Sequence, residues 1–107
     1  ISMIKEIKSK ETFDEACKKH KNIVVDLYAE WCGPCKRLYP LLEKLAEKYK
    51  ETIVFYKLDI DVLEMMPELK IEIPETIPTI LYYKEGKEIE RLSTSDIKTI
   101  ENNFILF

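Results

Sequence analysis

The stretch VVDLYAEWCGPCK, from Val24 to Lys36, decides how this chain of 107 residues is read. Its first half continues a nearly unbroken apolar run, Ile23 to Tyr28, interrupted only by Asp26. A central strand covered on both faces reads this way. Its second half holds Cys32 and Cys35, with Gly33 and Pro34 between them. Downstream, apolar residues recur at Leu38, Leu41, Leu42, Leu45, Ala46 and Tyr49, the spacing of a long amphipathic helix. The two cysteines therefore fall where a strand hands over to a helix. Pro40, inside that helix, is expected to kink it.

This placement suits thiol chemistry. A thiolate attacks a disulfide where a thiol does not, and free cysteine titrates at about 8.5. Unpaired N–H groups and the dipole at a helix N-terminus stabilise negative charge. Cys32 is the expected nucleophile on that ground. Cys35, one turn further in, is then placed to attack a mixed disulfide and release the reduced substrate. Pro34 fits the first helical turn, where its missing N–H costs nothing. The spacing alone also suits zinc, because Cys17 and His20 with Cys32 and Cys35 can be written as a Cys₃His set. Against zinc, Cys17 shares the apolar face of its own segment with Phe13 and Ala16, as a buried small hydrophobe would.

Asp26 is the second candidate. It shares a strand face with Val24 and Tyr28 in a run that should be covered on both sides. Burial disfavours a carboxylate and raises its pKa. A carboxyl so tuned behind Cys35 can take that thiol's proton and later return it. A solvent-facing or purely structural aspartate fits the same letters. Lys57, on the neighbouring buried strand, reads from the residues alone as a lysine that snorkels to water.

The totals bound the function. One domain over residues 1–107 is expected, with 46% hydrophobic and 35% charged residues, enough to build and solvate a core. A natural start at Met3 is expected, with Ile1 and Ser2 a remnant ahead of it. A net charge of -3 and the lack of a basic block argue against nucleic acid. No apolar run suits a bilayer, and charges at Lys5, Glu6, Lys8 and Lys10 break any signal-peptide pattern. The two glycines, Gly33 and Gly86, exclude a glycine-rich phosphate loop. Three cysteines are an odd set for a secreted domain, so a reducing, cytoplasmic setting is expected.

The remaining segments complete an α/β pattern. Met3 to Ile7 reads as a half-buried edge strand, and Ser9 caps a helix running to about His20. Thr52 to Asp59 is a second buried strand, and Asp61 to Lys70 holds a short helix interrupted by Pro67. Thr79 to Tyr83 and Lys87 to Leu92 form a hairpin turning at Gly86. Thr94 or Ser95 caps a last helix that faces Ile97, Ile100, Phe104 and Ile105 inward. Met65, Met66 and the tyrosines read as core or surface packing. The order β-α-β-α-β-α-β-β-α predicts a mixed sheet of about five strands between about four helices, in three layers.

Val24 to Lys36 resembles the active-site segment of thioredoxins, and Thr76-Ile-Pro-Thr79 resembles that family's Ile-Pro-Thr loop. The element order is similar to the thioredoxin fold over essentially the whole chain. The resemblance implies a protein disulfide reductase in which Cys32 and Cys35 form the redox-active disulfide, Asp26 manages a proton, and Lys57 accompanies Asp26. It implies that Trp31, Gly33, Pro34, Ile77 and a cis Pro78 hold an extended substrate peptide. Disulfide-containing proteins such as peroxiredoxins or reductases would be its substrates, and an NADPH-dependent thioredoxin reductase its electron source. No bound cofactor or metal is implied, and the protein is expected to be a monomer. Gly-Pro between the cysteines resembles reducing members rather than oxidising ones. A disulfide oxidase or isomerase, or a non-catalytic binding subunit, remains the alternative. Two features depart from the family: Thr94 stands where glycine is usual in the substrate groove, and the segment before Pro78 is slightly long and carries Pro67 and Pro74.

Overall fold

Alternation along the strands sorts their side chains onto two faces, and each face is covered by helices. In the computed structural model, which describes residues 2–107, the strands are β1 (Ile4–Glu6), β2 (Asn22–Tyr28), β3 (Val54–Asp59), β4 (Thr79–Lys84) and β5 (Lys87–Ser93). The helices are α1 (Lys10–Lys19), α2 (Gly33–Lys48), α3 (Ile60–Leu63) and α4 (Ile97–Asn102), with 3₁₀ turns at Pro67–Leu69 and Asn103–Leu106. The expectation for Ile1 lies outside the described residues. The sheet order is β1-β3-β2-β4-β5, with β2 central as expected. β1, β3 and β2 run parallel, while β4 and β5 pair antiparallel. The chain thus has the expected three-layer mixed architecture.

One face buries Ile23, Val25, Leu27, Leu58 and Leu81 against Phe13 and Ala16 of α1 and against Leu63 and Leu69. The other buries Val24, Phe55, Ile80 and Tyr82 against Leu38, Leu42 and Leu45 of α2, and against Ile100 and Phe104. Asp26, two residues after Val24, shares its face and therefore belongs to the α2 side. Phe104 joins Tyr49, Phe55 and Tyr82 edge-on, and the Tyr82 hydroxyl donates to the Ile100 carbonyl at 2.8 Å. These contacts tie the C-terminal helix to the sheet.

α2 continues on both sides of Pro40, which lies on its exposed side. Several local expectations are corrected. Leu41 lies on the flank of the apolar stripe and is exposed. β3 begins at Val54 because Thr52 is spent on a turn, where its hydroxyl donates to the Tyr49 carbonyl. The cap of α4 is Asp96, whose carboxylate accepts from Thr99 N–H; Thr94 instead accepts from Asp96 N–H. Ile105 is exposed because the chain tightens into a 3₁₀ turn after Asn102. The hairpin turn consists of Glu85 and Gly86, with φ of 52° and 81°. Both residues are left-handed, as a two-residue turn matched to strand twist requires.

Candidate active site

The hand-over from β2 to α2 places both sulfurs. Cys32 is the N-cap of α2, with Gly33 and Pro34 in the first turn. Its carbonyl accepts from Lys36 N–H at 3.2 Å, and its Sγ accepts from Cys35 N–H at 3.2 Å. Cys32 and Cys35 form a disulfide with their Cα atoms 5.3 Å apart. Both are buried, packed with Ala29, Tyr28, Ile60 and Ile77. One of the four unpaired N–H groups of the helix terminus is therefore aimed at Cys32 sulfur.

The Ile77–Pro78 peptide is cis, and the Ile77 carbonyl oxygen lies 3.9 Å from Cys32 Sγ. Pairing of Thr79 with Ser93, whose hydroxyls are 2.7 Å apart, ties the start of β4 to the end of β5. Thr94 follows immediately after that last paired residue of β5. Thr94 does not adopt a left-handed conformation, so its position makes no demand that only glycine meets. Trp31 is 67% exposed, and its indole N–H donates to Asp61 Oδ2 at 3.2 Å. Sequence reasoning missed Asp61; only proximity in the fold relates it to Trp31.

Asp26 is 2% exposed, and its Oδ1 is buried without a hydrogen-bond partner. Burial pushes its carboxyl up to about 7, against a smaller downward pull from Lys57 and with a further push from Glu6. Asp26, Cys35, Tyr39 and Lys57 line one cleft of about 210 Å³. Lys57 stands opposite Asp26 in register, but its ammonium pairs with Glu6 at 3.8 Å. It also lies 5.4 Å from the centre of the Tyr28 ring and 4.8 Å from that of Tyr39. Neither sequence reading of Lys57 described this arrangement, and Glu6, Tyr28 and Tyr39 had no role in it.

The zinc set is not assembled. Cys17 packs with the α1-side cluster and lies near Gly86, at the far end of β4 from Pro78. Among the described residues no three His, Cys, Asp or Glu side chains gather to hold a metal ion. Burial pushes the Cys17 thiol up, which does not favour its thiolate.

Residues 4–104 match the family model Thioredoxin. The chain belongs to the thioredoxin family. It is 42% identical over 91 residues to thioredoxin-2 of Saccharomyces cerevisiae, covering 84% of this chain and 85% of that protein. The structure superimposes with a TM-score of 0.83 on mitochondrial thioredoxin 3 from Saccharomyces cerevisiae in its oxidised form, at 28% identity over 97% of this chain and 95% of that one. A chain from structural work on thiol resolution in yeast mitochondrial 1-Cys peroxiredoxin via glutathione/thioredoxin systems gives a TM-score of 0.83, at 26% identity over 100% of both chains. Thioredoxins are dithiol–disulfide oxidoreductases that reduce protein disulfides, and family membership with the Cys32–Cys35 disulfide assigns that activity here. The family's exchange chemistry calls for no bound cofactor. No helix among the described residues is long and apolar enough to cross a membrane.

Proposed function

We propose that Cys32 is the attacking sulfur, Cys35 the resolving one, and Asp26 the acceptor of the Cys35 proton. The Cys32 thiolate attacks one sulfur of a substrate disulfide, and the second substrate sulfur leaves as a thiolate. Cys35 then loses its proton to Asp26, attacks Cys32 Sγ, and breaks the mixed disulfide. The substrate sulfurs leave as thiolates, one taking the proton returned by Asp26 and the other a proton from water, and the two electrons gained are matched by the new Cys32–Cys35 disulfide. The observation that carries this order is the donation from Cys35 N–H to Cys32 Sγ at the start of α2. That donor favours charge on Cys32, while the common cleft of Asp26 and Cys35 supports Asp26 as the proton acceptor.

Exposed Trp31, the Gly33-Pro34 turn and the Ile77–Pro78 loop, bordered by Thr94, are the surface on which an extended substrate peptide would lie. A reductase drawing electrons from NADPH would restore the dithiol, so that the protein carries electrons from that reductase to its targets. Peroxiredoxins are one proposed target class, supported by the likeness to a chain studied for thiol resolution in yeast mitochondrial 1-Cys peroxiredoxin. We further propose that residues 1–107 form one domain that acts as a monomer in the cytoplasm.

The test is to incubate the Cys35→Ser variant with cell lysate. It is expected to stall at the mixed disulfide and retain its targets covalently. Absence of adducts while Cys32 remains reactive would sink the general-reductase reading. A reduction potential near that of protein disulfide isomerase, about −180 mV, would favour an oxidase or isomerase over a reductase, for which about −270 mV is typical.

A further inference from the structure

On the α2 face of the sheet, three charged residues stand in one row across three strands. Backbone register pairs Glu6 of β1 with Lys57 of β3, and Lys57 with Asp26 of β2. Neighbouring strands are about 4.8 Å apart, and paired residues point to the same face. A lysine between two carboxylates in such a row can serve either. Here its ammonium is 3.8 Å from Glu6 Oε1, and Asp26 makes no ion pair among the described residues.

Neighbouring side chains account for the choice. The Tyr28 hydroxyl donates to both Glu6 carboxylate oxygens, at 2.9 Å and 3.0 Å, and so fixes the carboxylate that receives Lys57. The rings of Tyr28 and Tyr39 flank the same ammonium. A cation over an aromatic face gains a further electrostatic attraction. Every resolved contact of the ammonium is thus made to groups other than Asp26.

We propose that Glu6 and Tyr28 are positioning residues that hold the Lys57 ammonium on the Glu6 side of the row, leaving Asp26 free to take the Cys35 proton. The proposal rests on the reading of Asp26 as proton acceptor. Its physical basis is the effect of a cation on a buried carboxyl. An opposite charge within about 4–6 Å lowers a carboxyl pKa by roughly 1–3 units. Lys57 delivered to Asp26 would make it a carboxylate too weakly basic for its task. A general base works best with a pKa near the operating pH.

Other groups facing Asp26 are few. α2 contributes Cys35, Lys36 and Tyr39, the last a phenol pushed up by burial and by its bond to Glu43. The end of β2 contributes Tyr28, raised by burial and by Glu6, and Glu30 beyond it. β3 adds Asp59 opposite Tyr28, and β4 sets uncharged Ile80 opposite Asp26. Of these, only Lys36 shares the positive sign of Lys57, and it is exposed on the rim.

The test is the pH midpoint of Asp26, read from its carboxyl ¹³C shift in the full disulfide-bonded chain. Glu6→Gln and Tyr28→Phe are near-isosteric, and Lys57→Gln supplies the second arm of a double-mutant cycle. Glu6→Gln is expected to lower the midpoint by on the order of one unit, and Tyr28→Phe by less. In the Lys57→Gln background, Glu6→Gln should retain only a small remainder. An equal shift in both backgrounds overturns the proposal, since Glu6 would then act by its own field alone. An unmoved midpoint with only a lowered melting temperature overturns it too. Rates of mixed-disulfide resolution against pH, measured on the same variants, separate the two readings. A midpoint that moves without the rate profile following supports the positioning role and removes Asp26 from the proton transfer.

Discussion

The main-chain N–H of Cys35 donates to the Sγ of Cys32 at 3.2 Å, so the second cysteine of the pair solvates the first. A hydrogen bond to a charged group contributes about 1.5–3 kcal/mol. In the reduced protein this donation favours Cys32 as the thiolate. Iodoacetamide at limiting concentration should therefore alkylate Cys32 about tenfold faster than Cys35, or more, by peptide mass mapping. Equal rates at the two sulfurs would contradict the assignment of the nucleophile.

Asp26 makes stability depend on pH with a definite sign. Its carboxyl is raised from an ordinary 3.8 to about 7 in the folded chain. Below about pH 4 both folded and unfolded chains hold the proton, and burial carries no ionic cost. Between about pH 4 and 7 only the unfolded chain ionises, so stability falls as pH rises through this window. A displacement of about three units corresponds to roughly 4 kcal/mol at its limit. Asp26→Asn should consequently be more stable than the parent at pH 8, by an amount of up to that order. The advantage should vanish near pH 3.5. Urea unfolding at the two pH values measures it, and an advantage equal at both would refute the burial account.

Glu85 occupies the first left-handed position of the β4–β5 turn, at φ 52°. A side chain branching from a left-handed backbone is disfavoured, and asparagine followed by glycine is the preferred pair for such a turn. The backbone bond from Glu85 N–H to the Lys21 carbonyl survives any side-chain change. Glu85→Asn is expected to stabilise the fold by about 0.5–1 kcal/mol, read as a higher denaturant midpoint at constant slope. A lower midpoint would show that Glu85 makes contacts the turn geometry does not express.

Thr94 occupies an ordinary backbone conformation and accepts a hydrogen bond from Asp96 N–H. Replacing it by glycine therefore relieves no strain and adds freedom to the unfolded chain. Thr94→Gly should lower stability by about 0.5–1 kcal/mol. If its side chain narrows the groove, kcat/KM should rise for bulky protein disulfides and stay level for a small aromatic disulfide. A parallel change for both substrates would place Thr94 outside substrate selection.

Much of the site was legible because its parts are local. Cys32, Gly33, Pro34 and Cys35 lie within one turn of chain, and the apolar spacing that follows identifies the helix they begin. Asp26 was expected on a covered face because its strand has apolar neighbours on both sides, but a solvent-facing aspartate fitted the same letters, and only packing under α2 decided for burial. Errors concentrated at ends and caps. Asp96 took the capping role expected of Thr94 or Ser95, since all three are competent and only the turn geometry selects one. Leu41 and Ile105 were placed inward by spacing yet are exposed, because periodicity defines the centre of a stripe better than its margin.

By itself the sequence determined a dithiol at a helix N-terminus, a carboxyl inside a buried strand, and the order of elements that carries them. These follow from periodicity and local backbone preference, which act within a few residues. The tertiary structure alone decided that β1 lies beside β3, in a register that sets Glu6, Lys57 and Asp26 in one row. It also decided that Lys57 turns to Glu6 and that Asp61 reaches Trp31. Alternation says which face a side chain takes, but not which strand is its neighbour or how far that strand has slid. Those are settled by packing both sheet faces against helices at once, and Asp26's unpaired oxygen is a product of that packing.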